Sequence, residues 1–171
     1  MYFSFQKQNR AFSIYPAANY TSTEPHIHTH IEIIFLREGG KIEAHADNAS
    51  VILNEGDMFL AFPNQVHHYN DLEKPIKADI FLISPAMCPE FKKIFETTLP
   101  ESPVFKNAKD NNVIFSALNI LLTCSDIEND FSETSVRGCL LVLLGEYFRS
   151  ISLKKKTNHS TDTAKDIINF C

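Results

Sequence analysis

Hydrophobic and polar residues alternate in the first half of the chain, up to about residue 84. The runs are separated by turn residues such as Asp47-Asn48 and Glu55-Gly56-Asp57. The pattern predicts strands over residues 3–5, 12–15, 31–36, 41–45, 50–53, 58–62, 66–69 and 77–83, with Gly39-Gly40 turning the chain. Many short strands with turn signals about every ten residues predict a sandwich or a small barrel.

The hydrophobic period becomes helical after Ser84-Pro85. Apolar spacing predicts helices over residues 88–97, 110–124 and about 132–151, the third capped by Ser132 or Ser135. Apolar residues extend nearly all the way round the third helix, which predicts burial on more than one side. One covering side is the barrel, and the other could be a second copy of the chain. The predicted dimer helix residues are Leu140, Leu141, Leu144, Tyr147 and Phe148.

The C-terminal residues have few apolar positions until the final AKDIINFC, which looks like the first turns of another helix. We therefore expect a linker and the start of a further domain, and we expect the chain to be a fragment of a longer protein. The predicted division is a barrel over residues 1–84, a helical dimerisation segment over 85–153, and a linker with the start of a truncated DNA-binding domain over 154–171.

Composition narrows the function classes. The chain has 171 residues and a net charge of −5, and such a surface repels phosphate, so we do not expect this chain to bind nucleic acid by itself. No two of its four cysteines form a CxxC pair, which favours free thiols in a reducing compartment. The N-terminus shows no secretion signal, and no apolar run approaches the roughly 20 residues that span a bilayer. These features predict a cytoplasmic protein without a membrane partner.

The stretch PHIHTHIEIIFLREGG places histidines at alternate positions before an acid. Residues at i, i+2 and i+4 of a regular strand share a face, so the following would point the same way: His26, His28, His30 and Glu32. Ile31, Ile33 and Phe35 would then pack on the opposite face. Because an unpaired buried acid is unfavourable, Glu32 should have a partner, unless a bulge lets it reach water.

These residues resemble the two motifs of the cupin barrels. The first motif, His-x-His-x3-Glu-x6-Gly, is filled by His26, His28, Glu32 and Gly39. The second is similar to EGDMFLAFPNQVHHYN, which supplies Gly56, Pro63 and His67. Three positions depart from the family: Tyr20 replaces a leading glycine, Asn64 replaces the glycine of a Pro-x-Gly turn, and Asp71 stands at the final asparagine position. The resemblance covers about residues 20 to 83 and implies a cupin-like double-stranded β-helix, or jelly-roll barrel.

The whole chain is similar to the effector-binding half of AraC-type transcription regulators. That resemblance implies a mainly β barrel with C-terminal helices that dimerise, followed by a linker and two helix-turn-helix units beyond Cys171. It predicts a non-enzymatic homodimer that binds a small-molecule effector and reaches DNA through the missing C-terminal domain alone. The alternatives are a metal-dependent cupin enzyme of the dioxygenase or isomerase type, and a carbohydrate- or metabolite-binding module with no DNA partner.

The cupin resemblance also implies a ligand set for Zn, Ni, Mn or Fe: His26, His28, Glu32 and His67. In AraC-type barrels the same residues can instead form hydrogen bonds to an organic effector without metal. The predicted effector pocket comprises these four residues and Phe35, Phe59, Tyr69 and Phe81, although each aromatic residue could be plain core. His30 and His68 are expected at the rim or in solvent.

Overall fold

The computed structural model describes residues 3–124 and 130–156. Within them ten strands form: β1 (Ser4–Phe5), β2 (Phe12–Ala18), β3 (His26–Ile27), β4 (Ile31–Ala46), β5 (Ala49–Asn54), β6 (Met58–Ala61), β7 (His67–Ile83), β8 (Thr98–Pro100), β9 (Val104–Phe105) and β10 (Leu153–Lys155). Eight of them make one sheet in the order β1-β3-β7-β4-β6-β9, with β2 on β7 and β5 on β4. β8 and β10 pair separately.

Three helices follow or interrupt the later strands: α1 (Lys92–Thr97), α2 (Asn112–Leu122) and α3 (Asp130–Ser150). Short 3₁₀ turns occupy Pro85–Met87, Pro89–Phe91 and Ala108–Asp110. None of the helices in the described ranges is both long and apolar enough to cross a membrane. The expected fold class, a mainly β cupin-like barrel followed by helices, is confirmed.

The two longest strands, β4 and β7, run antiparallel along their whole length. The predicted turn at Gly39-Gly40 is wrong, because β4 bends there and continues. Gly39 and Gly40 have φ angles of 76° and 33°, and a Cβ on either would press on the carbonyl oxygen of Pro75 or Glu73 in β7. The predicted break between residues 69 and 77 is likewise absent, because β7 follows the bend of its partner through register shifts.

The opposite faces of this sheet bury two separate cores. The barrel core consists of Ile34, Leu36, Ile42, Ala44, Ala46, Leu53, Phe59, Ala61, Tyr69, Ile76 and Ala78. The helix-facing core joins the sheet to the helices and includes Ile31, Ile33, Phe35, Phe81, Ile114, Leu118, Leu140 and Leu144. The expected alternation of β4 is therefore confirmed, since Ile31, Ile33 and Phe35 lie together on one face.

A local signal explains where α2 begins. The side chain of Asn111 caps α2 by accepting hydrogen bonds from the backbone N–H groups of Val113 and Ile114, both at 3.1 Å. α3 begins at Asp130, so Ser132 and Ser135 lie inside the helix and the predicted cap is wrong. β8, β9 and β10 were not predicted, and Leu153–Lys155 pairs with β8 although its sequence suggests a linker. The predicted C-terminal helix lies outside the described residues.

The predicted dimer helix residues do not share one environment. Leu140, Leu144 and Tyr147 are fully buried against this chain's own helix-facing core, whereas Leu141 and Phe148 are partly buried at its margin. The outward face of α3 instead carries Val142, which is 53% exposed. A Cβ added to Gly138 or Gly145 on this helix would meet no other group within the described ranges.

Candidate metal and effector site

Four side chains from three parts of the sheet converge on one point: His26, His28, Glu32 and His67. One nitrogen or oxygen atom from each lies within 4.8 Å of the others, and all four residues are buried. The His26 and His67 rings are 4.2 Å apart between centroids, and those of His28 and His67 are 4.7 Å apart. The four residues of the predicted ligand set are thus brought together.

The convergence does not come from one regular strand. β3 supplies His26, which pairs with His67 of β7, and β4 begins only at Ile31. The chain bends at Thr29-His30, and this bend turns His30 away. His30 is buried rather than exposed, and its Nε2 lies 2.8 Å from the carbonyl oxygen of Arg10. Burial lowers its pKa.

The turn after β6 supports the segment that carries His28. Asn64 adopts a φ of 61°, a left-handed conformation that asparagine tolerates better than most residues, so it serves where the cupin motif has glycine. Its backbone N–H donates to the carbonyl oxygen of His28 at 2.9 Å. The departure from the family motif at residue 64 therefore preserves the turn.

Backbone carbonyl oxygens fix the orientation of all three imidazoles. The Nδ1 atoms of His26, His28 and His67 lie 2.9, 3.1 and 2.7 Å from backbone carbonyl oxygens of Glu24, His30 and Gln65. A carbonyl oxygen only accepts, so each Nδ1 carries the proton and donates it. In the neutral ring the Nε2 lone pair is then free. Burial, reinforced by the neighbouring His67, lowers the pKa of His26 and favours its neutral form.

Glu32 provides the negative charge of the group. Its Oε2 lies 2.9 Å from His28 Nε2 and 3.4 Å from His67 Nε2. Burial alone would raise the pKa of Glu32, but the hydrogen bonds and charges of the two histidines outweigh it and hold the pKa far below 4.5. The carboxylate is therefore ionised and needs a cation beside it, which is either a protonated imidazole or a metal ion.

The donor set fits a divalent transition metal. Three Nε2 lone pairs and a carboxylate repel one another when the rings are neutral, and a cation between them removes that repulsion. Metal bonds to these donors are about 2.0–2.2 Å long, so four atoms lying within 4.8 Å of one another can surround one ion. Imidazole and carboxylate donors together suit Zn, Ni, Mn and Fe.

The predicted aromatic pocket residues separate into two pairs. Phe59 and Tyr69 lie in the barrel core, on the side of the histidine group, with their rings edge to face at 5.5 Å. Phe35 and Phe81 lie in the helix-facing core, because their side chains have the opposite parity from Glu32 along the paired strands. The structure does not bring this second pair to the histidines.

Tyr69 has a buried hydroxyl group that lies beside the Glu32 carboxylate. Its ring centroid lies 5.9 Å from that of His67. Burial, the charge of Glu32 and a hydrogen bond to its carboxylate raise the pKa of Tyr69 well above its usual range. The phenol therefore keeps its proton and remains a potential donor beside the histidine group.

Gln65 was missed by sequence reasoning. It is buried, its Oε1 accepts from the Phe62 backbone N–H at 3.0 Å, and its Nε2 donates to Asp47 at 3.0 Å. Its backbone carbonyl then anchors His67. Its position between the Pro63-Asn64 turn and His67 could have identified it, because a turn that precedes a metal-binding residue must be held in place.

A second pair of histidines lies outside the group. His45 and His68 stack at 4.1 Å with an angle of 6° between their planes, across β4 and β7. Their neighbours Ala44 and Tyr69 belong to the barrel core, so His45 and His68 face the other way. His68 is partly buried, and burial lowers its pKa.

Comparison with solved structures supports the same fold. ToxT of Vibrio cholerae with an unsaturated fatty acid bound is similar at a TM-score of 0.55 and 12% identity, over 85% of this chain and 56% of ToxT. A ligand-free ToxT variant gives 0.54 and 12%, over 91% and 63%. This chain therefore spans about three fifths of the length of ToxT. The AraC-like activator CuxR gives 0.47 at 11% identity, over 69% and 43%.

Comparison with protein sequences gives a family but no close relative. No curated protein sequence matches this chain significantly. A family profile described as the AraC-like ligand binding domain matches residues 13–111, which is more than half of the chain and includes all four convergent residues. The chain belongs to the AraC-like ligand-binding domain family.

Proposed function

We propose that this chain is the effector-sensing and dimerisation part of an AraC-type transcription regulator, and that its effector binds in the barrel beside His26, His28, Glu32 and His67. The observation that carries the proposal is the burial of this polar group on the barrel side of a ligand-binding domain. Buried polar groups that serve packing alone are normally satisfied internally, but here one carboxylate oxygen lies 2.9 and 3.4 Å from the Nε2 atoms of two imidazoles, which need protons or an ion between them. A bound effector completes them.

The proposal includes a divalent transition metal in the four-residue group. Such an ion supplies positive charge and open coordination positions for an effector. The chain's residues hold it with three imidazoles that are already oriented by backbone carbonyl oxygens, so little reorganisation is required.

The proposal also assigns the outward face of α3 to dimerisation. Glycine inside a helix is less favourable than alanine by about 1 kcal/mol, yet a Cβ on Gly138 or Gly145, which flank exposed Val142, would meet open space among the described residues. Small residues there let a second helix approach closely. The DNA-binding domain would lie beyond Cys171, and an effector would favour one arrangement of the two copies.

The ToxT comparison fits this proposal. ToxT has been solved both free of ligand and with an unsaturated fatty acid bound. A small-molecule effector inside a fold of this kind is therefore physically reasonable for the present chain.

Metal analysis tests the site. The chain purified without added metal should contain close to one equivalent of transition metal, and His28→Ala with His67→Ala should lose it. The double variant His45→Ala with His68→Ala is the matched control, since it removes two histidines from the same sheet but not from the group. Equal metal loss in both variants, or none in either, contradicts the proposed site.

A gel-shift assay tests the regulator. The longer chain that continues past Cys171 should bind a specific DNA sequence as a dimer, and Val142→Glu should produce monomers that bind it more weakly. A longer chain without sequence-specific DNA binding contradicts the assignment.

A metal-dependent cupin enzyme is the second candidate, because all four ligand positions of the cupin motifs are filled and assembled. The Fe²⁺-loaded chain should then consume oxygen, or isomerise a substrate, with turnover lost in the His28→Ala and His67→Ala variant. Binding of an effector without turnover favours the regulator.

A further inference from the structure

We propose that occupation of the histidine group is coupled to the docking of β10, the strand through which the chain enters the predicted linker, and that Lys156 makes this coupling. The inference rests on the proposed function, because it says how a filled site acts on the segment that leaves the domain. It begins from the side chain of Lys156, whose Nζ donates to the backbone carbonyl oxygen of Phe95 at 2.6 Å.

Few contacts hold β10 in place. It has three residues, and among the described residues it pairs with β8 alone, which also has three. A two-stranded pairing of this size is marginal by itself. Lys154 and Lys155 are exposed, whereas Leu153 packs at the margin of the helix-facing core. A small change in free energy therefore shifts β10 between a docked and a released form.

Lys156 closes the pairing of β10. Its backbone N–H donates to the carbonyl oxygen of Thr97 at 3.0 Å, next to the bond from its Nζ to Phe95. The side chain is partly buried, and burial lowers its pKa, whereas the charges of Asp47 and Glu96 oppose that lowering. The ammonium group is thus attracted by Asp47, which belongs to the barrel.

Asp47 connects Lys156 to the histidine group. It lies in the turn between β4 and β5, and its backbone N–H donates to the carbonyl oxygen of Val66 at 2.8 Å. Its Oδ2 accepts from Gln65 Nε2 at 3.0 Å, and the carbonyl oxygen of Gln65 accepts from His67 Nδ1 at 2.7 Å. One buried glutamine therefore joins an imidazole of the group to the carboxylate that attracts Lys156.

A second route from Gln65 reaches the same lysine through aromatic packing. Gln65 Oε1 accepts from the backbone N–H of Phe62 at 3.0 Å. The Phe62 ring packs edge to face against Phe95 at 5.2 Å, and both residues are buried. The carbonyl oxygen of Phe95 is the acceptor for Lys156 Nζ. Because buried side chains are closely packed, the position of Gln65 affects both partners of Lys156.

Occupation of the group acts on Gln65 through His67. With a metal ion on Nε2, the His67 ring is held in one position, and its Nδ1–H donates more strongly to the Gln65 carbonyl oxygen. A fixed Gln65 holds Asp47 and Phe62, so the docked form of β10 is favoured. Coupling is reciprocal, and docking of β10 therefore strengthens metal binding by the same factor.

Hydrogen exchange of the chain, with Zn²⁺ or with chelator, tests this coupling. We expect Zn²⁺ to slow exchange of the Lys156 amide about fivefold or more, because that amide exchanges when β10 is released. The Phe115 amide, which donates to the Asn111 carbonyl oxygen at 2.9 Å in the first turn of α2, should change less than about twofold. Equal slowing of both amides indicates general stabilisation and overturns the inference.

Asp47→Asn and Lys156→Met separate the coupling from packing. Residue 47 has a φ of 51°, which asparagine tolerates, and asparagine keeps an acceptor for Gln65 while removing the charge that attracts Lys156. Either variant should reduce the Zn²⁺ effect on the amide of position 156 to less than about twofold, and should weaken Zn²⁺ binding by about the factor lost. Lys154→Met, at an exposed position of the same strand, should do neither.

The outcomes distinguish the coupling from the site itself. Stoichiometric Zn²⁺ binding without slower exchange at Lys156, or an unchanged Zn²⁺ effect in both variants, overturns the coupling while leaving the metal site intact. An equal loss in Lys154→Met overturns the role of Lys156. A chain that binds no Zn²⁺ overturns the inference through the proposed function, and the Zn²⁺ stoichiometry identifies that result.

Discussion

Glu32 and Asp79 are two buried carboxylates on opposite faces of the paired strands β4 and β7. Asp79 faces the helices, where its Oδ2 accepts from Arg37 Nε at 2.6 Å and its Oδ1 accepts from the Ala17 backbone N–H at 2.9 Å. Arg37 Nη2 also donates a hydrogen bond to Asn119 Oδ1 of α2 at 3.2 Å. Glu32 faces imidazoles instead. Arginine is always charged, so Asp79 has a permanent partner, whereas the partners of Glu32 can exchange protons for metal.

The difference separates structural from functional burial. A buried carboxylate with a fixed cation and a backbone donor is complete, and it stabilises the contact between sheet and helix. A buried carboxylate opposite titratable rings is complete only when protons or an ion occupy the space between them. Burial alone therefore does not identify a site, but the kind of partner does.

The largest expected effect is loss of the structural carboxylate. Asp79→Ala leaves Arg37 without its partner and should lower the free energy of unfolding by about 3 kcal/mol, at the lower end for buried pairs because Arg37 is 24% exposed. Urea unfolding measures this change. Metal affinity should stay within about twofold, and a large loss of metal binding would erase the distinction between the two carboxylates.

Glu32→Gln should instead act on metal binding. We expect metal affinity to fall about 100-fold, because a charged ligand becomes a neutral one, whereas Asp79→Ala should leave it nearly unchanged. Competition with a chromophoric chelator measures the affinity. Glu38→Gln is the control, since Glu38 is exposed and contacts Lys77.

Low pH should destabilise the metal-free chain through its buried histidines. His26 and His30 have pKa values lowered below 6.5 by burial, so the unfolded chain binds more protons than the folded chain between those lowered values and pH 6.5. This contribution to the stability of the metal-free chain is therefore present in full above pH 6.5 and is lost progressively as the pH falls below 6.5. Urea unfolding with chelator present measures the slope. Asp79→Ala should retain the slope, and His26→Gln should reduce it.

The smallest effect should come from an exposed ion pair. Lys77 Nζ lies 2.6 Å from Glu38, but both side chains are more than half exposed. Lys77→Ala should change the free energy of unfolding by less than about 0.5 kcal/mol and leave metal binding unchanged. Thermal unfolding and metal titration of the same variant check both. If Lys77→Ala lowered the free energy of unfolding as much as Asp79→Ala, solvent exposure would not explain the difference between the Lys77–Glu38 and Arg37–Asp79 pairs.

The sequence was sufficient to predict where a side chain lies when its position depends only on strand alternation or on motif spacing. Alternation placed Ile31, Ile33 and Phe35 opposite Glu32, and the two motifs predicted the convergence of His26, His28, Glu32 and His67. Both depend on local geometry that a strand imposes on nearby residues. The role of the convergent group as a metal or effector site stays a prediction.

Other features depend on contacts that spacing does not contain. The sequence Gly39-Gly40 predicts a turn. Only the continuous pairing of β4 with β7 shows that the chain bends there instead. Leu140 and Leu144 read equally well as a dimer seam or as a cover for the barrel, because periodicity does not say which neighbour occupies a face. The Arg37–Asp79 pair joins residues far apart in sequence and carries no motif.

The acceptors that hold the three imidazoles are main-chain carbonyl oxygens of residues 24, 30 and 65. Every amino acid supplies such an oxygen, so substitutions at these positions can leave ring orientation intact as long as the backbone path is preserved. Related chains could therefore share the same arrangement while showing no common residue at these positions. Evolutionary relationships in this family must therefore be established by superposition of backbones as well as by alignment of sequences.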